Sequence, residues 1–299
     1  MRTVLAHGAA TALAACLSVS PALSADGLAD RAECFRQAMA TYLEMPVAFP
    51  EAPSELPNGG FTLHEVQLKL GPGDADVGKI LSLDVYAFDC AGFQQSGAPK
   101  ELKLHVGGAS VPPALHPLAK MLPGMALDDY IDVDLDLAYD AASKRLTLRQ
   151  ADAVFTGVAS LRVAVDATGI DLATARVTGQ GLLGLGMTLA GASIHRLSAT
   201  LENYAGNRFL EAIARAQGMT MVALRDSWVK QLDDMAATEG KEAAVPYLRE
   251  LKAFVLDMRR LTVRLSPPAG HVDSTILAAH GDSVAEQIAI AGLSVEANR

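Results

Sequence analysis

Aromatic residues are scarce in this chain: 5% of 299 positions, with a single tryptophan, against a hydrophobic half dominated by Ala, Leu and Val, with Gly adding to the bulk. That is ample material for a core and excludes wholesale disorder. Basic clusters are also missing. The formal charge is −9 and no Lys/Arg-rich run occurs, which argues against a nucleic-acid partner, since phosphates need basic surface. After the N-terminus no apolar run is long enough to cross a bilayer, so no transmembrane span is expected once a leader is removed. There is no Gly-x-Ser-x-Gly elbow, no phosphate loop and no His-Glu-x-x-His pair. Ser193 lies near His195 without the turn chemistry of a nucleophile elbow, and His64, His105 and His116 are scattered. The expectation is a protein that is not an enzyme and needs no cofactor.

Two motifs look chemical and weaken on inspection. Gly179-Gln180-Gly181-Leu182-Leu183-Gly184 matches the dinucleotide pattern, which should open a helix. Here it runs into Gly186 and Gly191, poor helix material. It reads better as an apolar, Gly-rich hairpin carrying Leu182, Leu183 and Met187, either core or a surface for lipid or a partner. His271-Val272-Asp273 and His280-Gly281-Asp282 repeat a His-x-Asp spacing, but a metal needs three or four converging ligands, and no metal is expected.

What is present begins with a leader. Arg2 precedes an apolar stretch, Val4 to Val19, and Ala22 and Ser24 are small residues where a signal peptidase reads, so residues 1–24 are a signal peptide cut after Ser24. Leu13-Ala14-Ala15-Cys16 offers an alternative, a lipoprotein box that anchors the chain through Cys16. Beyond the leader only Cys34 and Cys90 remain. In an exported chain they most simply form one disulfide, stapling the first helix to the first β segment; two separate buried thiols are the other reading.

The clearest element is Ile131-Asp132-Val133-Asp134-Leu135-Asp136-Leu137, which alternates strictly and so predicts a half-buried strand. A second alternating run, Arg145 to Arg149, follows a polar 141–144 loop, which predicts a hairpin. Matching the faces sets the pairs Asp140–Arg145, Tyr139–Leu146, Leu137–Leu148 and Asp136–Arg149. The three aspartates do not form a calcium loop: its sixth position is Leu137 and its twelfth Ser143.

Around this hairpin the sequence predicts a helix at 27–45, strands near 61–70, 80–89 and 101–106, and a proline-broken stretch at 109–127 with one helical turn near 115–121. Further strands fall at 161–165, 172–177 and 193–203. No crossover helix interrupts residues 128–203, so the sheet should be antiparallel. Helices follow from Asn207, from Thr220 with the stripe Met221, Leu224, Trp228, Leu232 and Met235, and from Pro246. A strand at 261–265 and a short helix near 283–291 end the chain. The expected fold is α+β: a long, mainly antiparallel, curved β-sheet meander with an N-terminal helix and a C-terminal helical segment packed on it. Residues 25–204 hold helix and meander, and 205–299 the helical segment with its returning strand.

The leader, the Ala/Leu/Gly-rich meander and the ending Leu261-Thr262-Val263-Arg264-Leu265-Ser266-Pro267-Pro268 together resemble exported proteins of Gram-negative bacteria. More loosely, the chain is similar to periplasmic AsmA-like, curved-sheet lipid-handling proteins. The resemblance implies a bent sheet whose inner face holds acyl chains; it transfers no site residues. Two functions are then expected, both periplasmic. One is a carrier of lipid or another apolar ligand on Ile131, Val133, Leu135, Leu146 and Leu148, with Leu182, Leu183 and Met187. The other is an interaction module for an envelope protein partner, its sheet plugged by its own helices. Whether helices 207–258 cover the first five residues discriminates them.

Overall fold

The computed structural model describes residues 27–69, 77–110, 130–173, 191–239, 244–279 and 284–298. Helix α1 (Leu28–Leu43) leads into short strands β1 (Val47–Ala48) and β2 (Ser54–Glu55), then β3 (Phe61–Lys69) and β4 (Val77–Phe88). A short helix α2 (Cys90–Ser96) precedes β5 (Glu101–Ser110), β6 (Ile131–Asp140), β7 (Arg145–Phe155), β8 (Ala159–Thr168) and β9 (Ser193–Asn203). Helices α3 (Asn207–Ala216), α4 (Met221–Glu239) and α5 (Val245–Asp257) come next. Strand β10 (Arg260–Leu265), helices α6 (Ser274–Ala279) and α7 (Val284–Ala291) and strand β11 (Leu293–Ala297) complete the chain.

All eleven strands form one open antiparallel sheet, and from β3 to β11 each strand lies beside its neighbour in sequence. Strand β10 pairs directly with β9, so the α3–α5 excursion returns to the edge it left. The α+β class, the meander, the N-terminal helix and the C-terminal helices are as the sequence predicts. The strands predicted near 172–177 do not begin as expected: 172–173 form a turn, and the rest lies outside the described residues, as does the turn predicted at 115–121.

The central hairpin keeps three of its four predicted pairs, Asp140–Arg145, Tyr139–Leu146 and Leu137–Leu148. The fourth is corrected: Asp136 pairs with Gln150, because Arg149 is an extra residue in a β-bulge. The bulge resets the parity of β7. Leu146 and Leu148 are even-numbered, yet Ala151, Ala153 and Phe155 share their face. Arg149 still reaches Asp136, Nε to Oδ1 at 2.9 Å. Arg145 instead takes its ion pair from β8, at Asp166.

Further register shifts occur in β4 between Val85 and Ala87, in β5 between Val106 and Ala109, and in β9 at His195. Each bends its strand and strengthens the local twist. The β5 shift needs glycine: Gly108 has φ +64°, and a Cβ there would lie 2.7 Å from Leu81 Cδ1.

Sequence reasoning overlooked α2, α6 and β11, which are too short for a period to show. Their anchors are visible in the structure. The Asp89 carboxylate accepts the Gly92 N–H at 3.0 Å, and Asp273 accepts Ile276 N–H at 2.8 Å. Thr220 caps α4 as expected, its Oγ1 accepting Ala223 N–H at 3.1 Å. Cys34 and Cys90 form a disulfide, with Cα atoms 6.2 Å apart, that ties α1 to the start of α2. No helix among the described residues is long and apolar enough to cross a membrane.

Candidate functional site

The sheet carries its aliphatic residues in rows that cross nearly every strand. One row reads Leu63, Leu83, Val106, Val133, Ala153, Leu161, Leu201, Leu261 and Ala297 from β3 to β11. The next on the same face reads Phe61, Val85, Leu104, Leu135, Ala151, Val163, Ala199, Val263 and Val295. Neither contains a polar side chain. Pleating puts the row between them on the opposite face.

Cover over the aliphatic face is uneven. Helix α1 lays Ala32 and Phe35 on Phe61, Leu63, Val66, Ile80, Leu83 and Val85, and that cluster is fully buried. At the other end α5 lies against the edge strand β11, where Glu250 accepts the Ala297 N–H at 3.0 Å, and Leu201, Leu261, Val263 and Val295 stay half-buried. Helices α3 to α5 otherwise form clusters of their own around Leu210, Leu224 and Met258, and around Leu248. Between these ends Ile131, Val133, Leu135, Ala151, Ala153 and Leu161 are half-buried.

The five sheet residues singled out from sequence therefore separate. Ile131, Val133 and Leu135 line the half-buried middle. Leu146 and Leu148 lie at the hairpin end, packed with Val165, Ala167, Ile170 and Ala192, where the Tyr139 hydroxyl donates to the Ile170 carbonyl at 3.0 Å. These two are also half-buried, and they pack against that buried core. Leu182, Leu183 and Met187, and the Gly-rich motif they sit in, lie outside the described residues. Sequence reasoning missed Ala151, Ala153 and Leu161. The Arg149 bulge hides the phase of β7, and alanine gives too weak an apolar signal to restore it.

The opposite face is a polar ladder. Thr62, Asp84, His105, Asp134, Asp152, Arg162, Thr200, Thr262 and Glu296 stand in register across the sheet. Neighbours bond across strands: Thr62 donates to Asp84 at 2.6 Å, His105 meets Asp134 at 2.9 Å, and Arg162 donates to Asp152 at 3.0 Å. Asp132, the first of the three β6 aspartates, accepts the Gly108 N–H at 2.7 Å, and Asp136 meets Lys103 and Arg149. The aspartates thus serve strand pairing. Arg145 grips Asp166 through two bonds, at 2.9 and 2.7 Å, and holds its carboxyl below the ordinary range. Burial, with the charges of Asp84 and Asp134 nearby, pushes the Tyr86 phenol up.

The described histidines are engaged singly. His195 donates from Nδ1 to the Gly270 carbonyl at 2.9 Å, which leaves Nε2 to the Thr168 hydroxyl at 3.0 Å. His271 is a ring neighbour of His195, at 5.9 Å, and Asp273 is occupied at the α6 terminus. His280 and Asp282 lie outside the described residues. Among the described residues no group of three His, Cys, Asp or Glu side chains could hold a metal ion.

Comparison with curated proteins finds no match. Residues 101–298, from β5 to the end of the described chain, match the model of a family described as "Uncharacterized protein". This span holds the half-buried aliphatic face, the polar ladder from β5 onward and the α3–α5 excursion, and the chain belongs to that family.

Proposed function

We propose that this protein is a non-enzymatic cell-envelope protein that holds an acyl chain or another apolar ligand against the middle of its aliphatic face. One observation carries the reading: two rows without a polar side chain continue through β6, β7 and β8, where Ile131, Val133, Leu135 and Leu161 are only half-buried. Fully burying such a side chain stabilises by about 1.5–3 kcal/mol, so a ligand covering this strip gains what the fold leaves unrealised. Ala151 and Ala153 keep the floor low beneath it. The surface is hydrocarbon throughout and offers nothing to orient a polar substrate. The Cys34–Cys90 disulfide suits an oxidising compartment, which supports export to the periplasm by the leader.

A second reading, an interaction module for an envelope partner, draws on the buried cluster of Val165, Ala167, Ile170 and Ala192, against which Leu146 and Leu148 pack. The two are separated by mass measurement on protein purified from a bacterial envelope, under native and denaturing conditions. The carrier reading expects extra mass matching a phospholipid or fatty acid, released on denaturation, and its loss in Val133→Asp. A bare polypeptide mass that persists after incubation with phospholipid vesicles would overturn it.

A further inference from the structure

An acyl chain on the open strip leaves two deficits, and both point to the same partner. The first is cover. A sheet face touches one side of an extended chain, about half its surface, whereas small-molecule sites enclose roughly 70–90% of their ligand. The second is area. The two rows without a polar side chain run half-buried through five strands, from Val133 and Leu135 on β6 to Leu261 and Val263 on β10. At strand and row spacings of about 4.8 and 6.8 Å, that strip measures about 24 by 14 Å. Two such strips pressed together would bury about 700 Å², well short of the roughly 1,200–2,000 Å² of a stable interface.

Other surfaces offer a second copy less. At one edge of the sheet β1 and β2 pair with the two ends of β3, and at the other Glu250 accepts the outward Ala297 N–H of β11. A strand added at either edge meets groups already in use. On the polar face the charges pair across strands, Arg162 with Asp152 and Arg149 with Asp136, and covering them would cost their solvation. Helix α1 stands over β3 to β5 and leaves the strip clear.

The strip is also complementary to itself. A two-fold axis along β8 sets β8 against β8, β6 against β10 and β7 against β9, in two aligned sheets about 10 Å apart. Ala153, Leu161 and Leu201 share one row, and Ala151, Val163 and Ala199 the next. Ala153 then faces the second copy's Leu201, small against large. Ala151 faces the second copy's Ala199, which leaves a gap on each side of the axis. Such gaps weaken a bare pair, because their walls lose packing partners. A hydrocarbon chain fills them. We propose, resting on the acyl-chain reading, that a second copy of this chain supplies the missing cover. Two copies close face to face through β6 to β10 with an acyl chain in each gap, and they separate when the chains are removed.

Light scattering and native mass measurement test this on protein purified from a bacterial envelope, first stripped of lipid on a hydrophobic resin and then given palmitate. The stripped protein is expected to be a monomer. Palmitate should double its mass and add two ligands per pair. Leu161→Arg sets two guanidinium groups against each other at the axis and should hold the protein as a monomer with palmitate present. Ala199→Leu fills both gaps, and should give a dimer that needs no palmitate and takes up none. A monomer that binds palmitate would overturn this proposal and leave the acyl-chain reading standing. A stripped wild-type protein that is already a dimer would overturn it too, since no ligand is then needed. A monomer that takes up no palmitate would remove the acyl-chain reading itself, and this proposal with it. Palmitate-dependent dimers in both folded variants would place the interface elsewhere and overturn it as well.

Discussion

The two halves of the aliphatic face are built from the same alternation and end in different states. Under α1, Leu63 and Val66 are 0% exposed and Leu83 and Val85 are 1% exposed. There Phe35 meets Phe61 and Phe88 edge-on, at 6.0 and 5.2 Å. In the same rows, a few strands on, Val133, Leu135 and Leu161 are half-buried. Period-2 patterning decides which face a residue joins. It does not decide what lies over that face. Cover depends on a separate element, and here α1 supplies it beside β3, while the same rows stay half-buried on through Leu201, Leu261 and Val263. The scarce aromatics follow the cover, with Phe35, Phe61, Phe88 and Phe93 all gathered at the α1 end.

Removing the tie at the covered end should give the largest effect. The Cys34–Cys90 bond spans 56 residues and holds α1 against α2 and β4. The loop-entropy model assigns a closure of that size roughly 4 kcal/mol. The double variant Cys34→Ala, Cys90→Ala is expected to lose about that much in urea unfolding, and with it the protection of α1 amides from hydrogen exchange. Amides of β6 and β7 should keep theirs until global unfolding. Equal loss of protection at both ends would mean that the two halves stand or fall together.

Next in size is a pair of truncations that measures the contrast directly. Leu83→Ala removes a side chain with no solvent exposure to speak of and should cost about 3 kcal/mol, within the usual 2–5 for buried leucines. Leu135→Ala, in the next row and two strands away, removes a half-buried side chain and should cost about 1 kcal/mol. With an acyl ligand bound, the Leu135 cost should rise toward that of Leu83. Equal costs in the ligand-free protein would show that the middle strip is already core, and would favour the interaction-module reading.

How far the sequence led follows the same division. Face assignment was legible wherever alternation was unbroken: Ile131, Val133 and Leu135 stand where their parity puts them, and Tyr139–Leu146 and Leu137–Leu148 pair as predicted. Parity reasoning failed one residue past a bulge, at Arg149, because an inserted residue leaves no mark in hydropathy. Short elements failed for a related reason. Helix α2 and strand β11 are seven and five residues long, and what holds them is distant in sequence: the Cys34–Cys90 bond for α2, and the β10 ladder with Glu250 accepting the Ala297 N–H at 3.0 Å for β11.

The smallest expected effect concerns charge, and it too separates the two regions. In α1, Glu33 is held down to about 2 by hydrogen bonds from Arg36 and Gln37. In the middle of the sheet, Asp166 is held below its ordinary 3.8 first by its hydrogen bonds from Arg145. Both carboxyls have depressed values in the folded state. Each therefore contributes stability that is complete above its ordinary range and is lost as pH falls through the depressed value. The partners differ in reach. Arg36 lies three positions from Glu33 on one helix turn, so the pair persists in any residual helix of the unfolded chain, and its exposed position screens it further. Arg145 lies 21 positions from Asp166, and only the folded sheet joins them. Asp166→Asn should therefore flatten the fall in stability below about pH 4, by no more than about 1 kcal/mol. Glu33→Gln should leave that slope nearly unchanged despite the larger shift of its carboxyl. Urea midpoints taken between pH 3 and pH 6 decide it, and a steeper dependence on Glu33 would mean that α1 is fully unravelled whenever the sheet is.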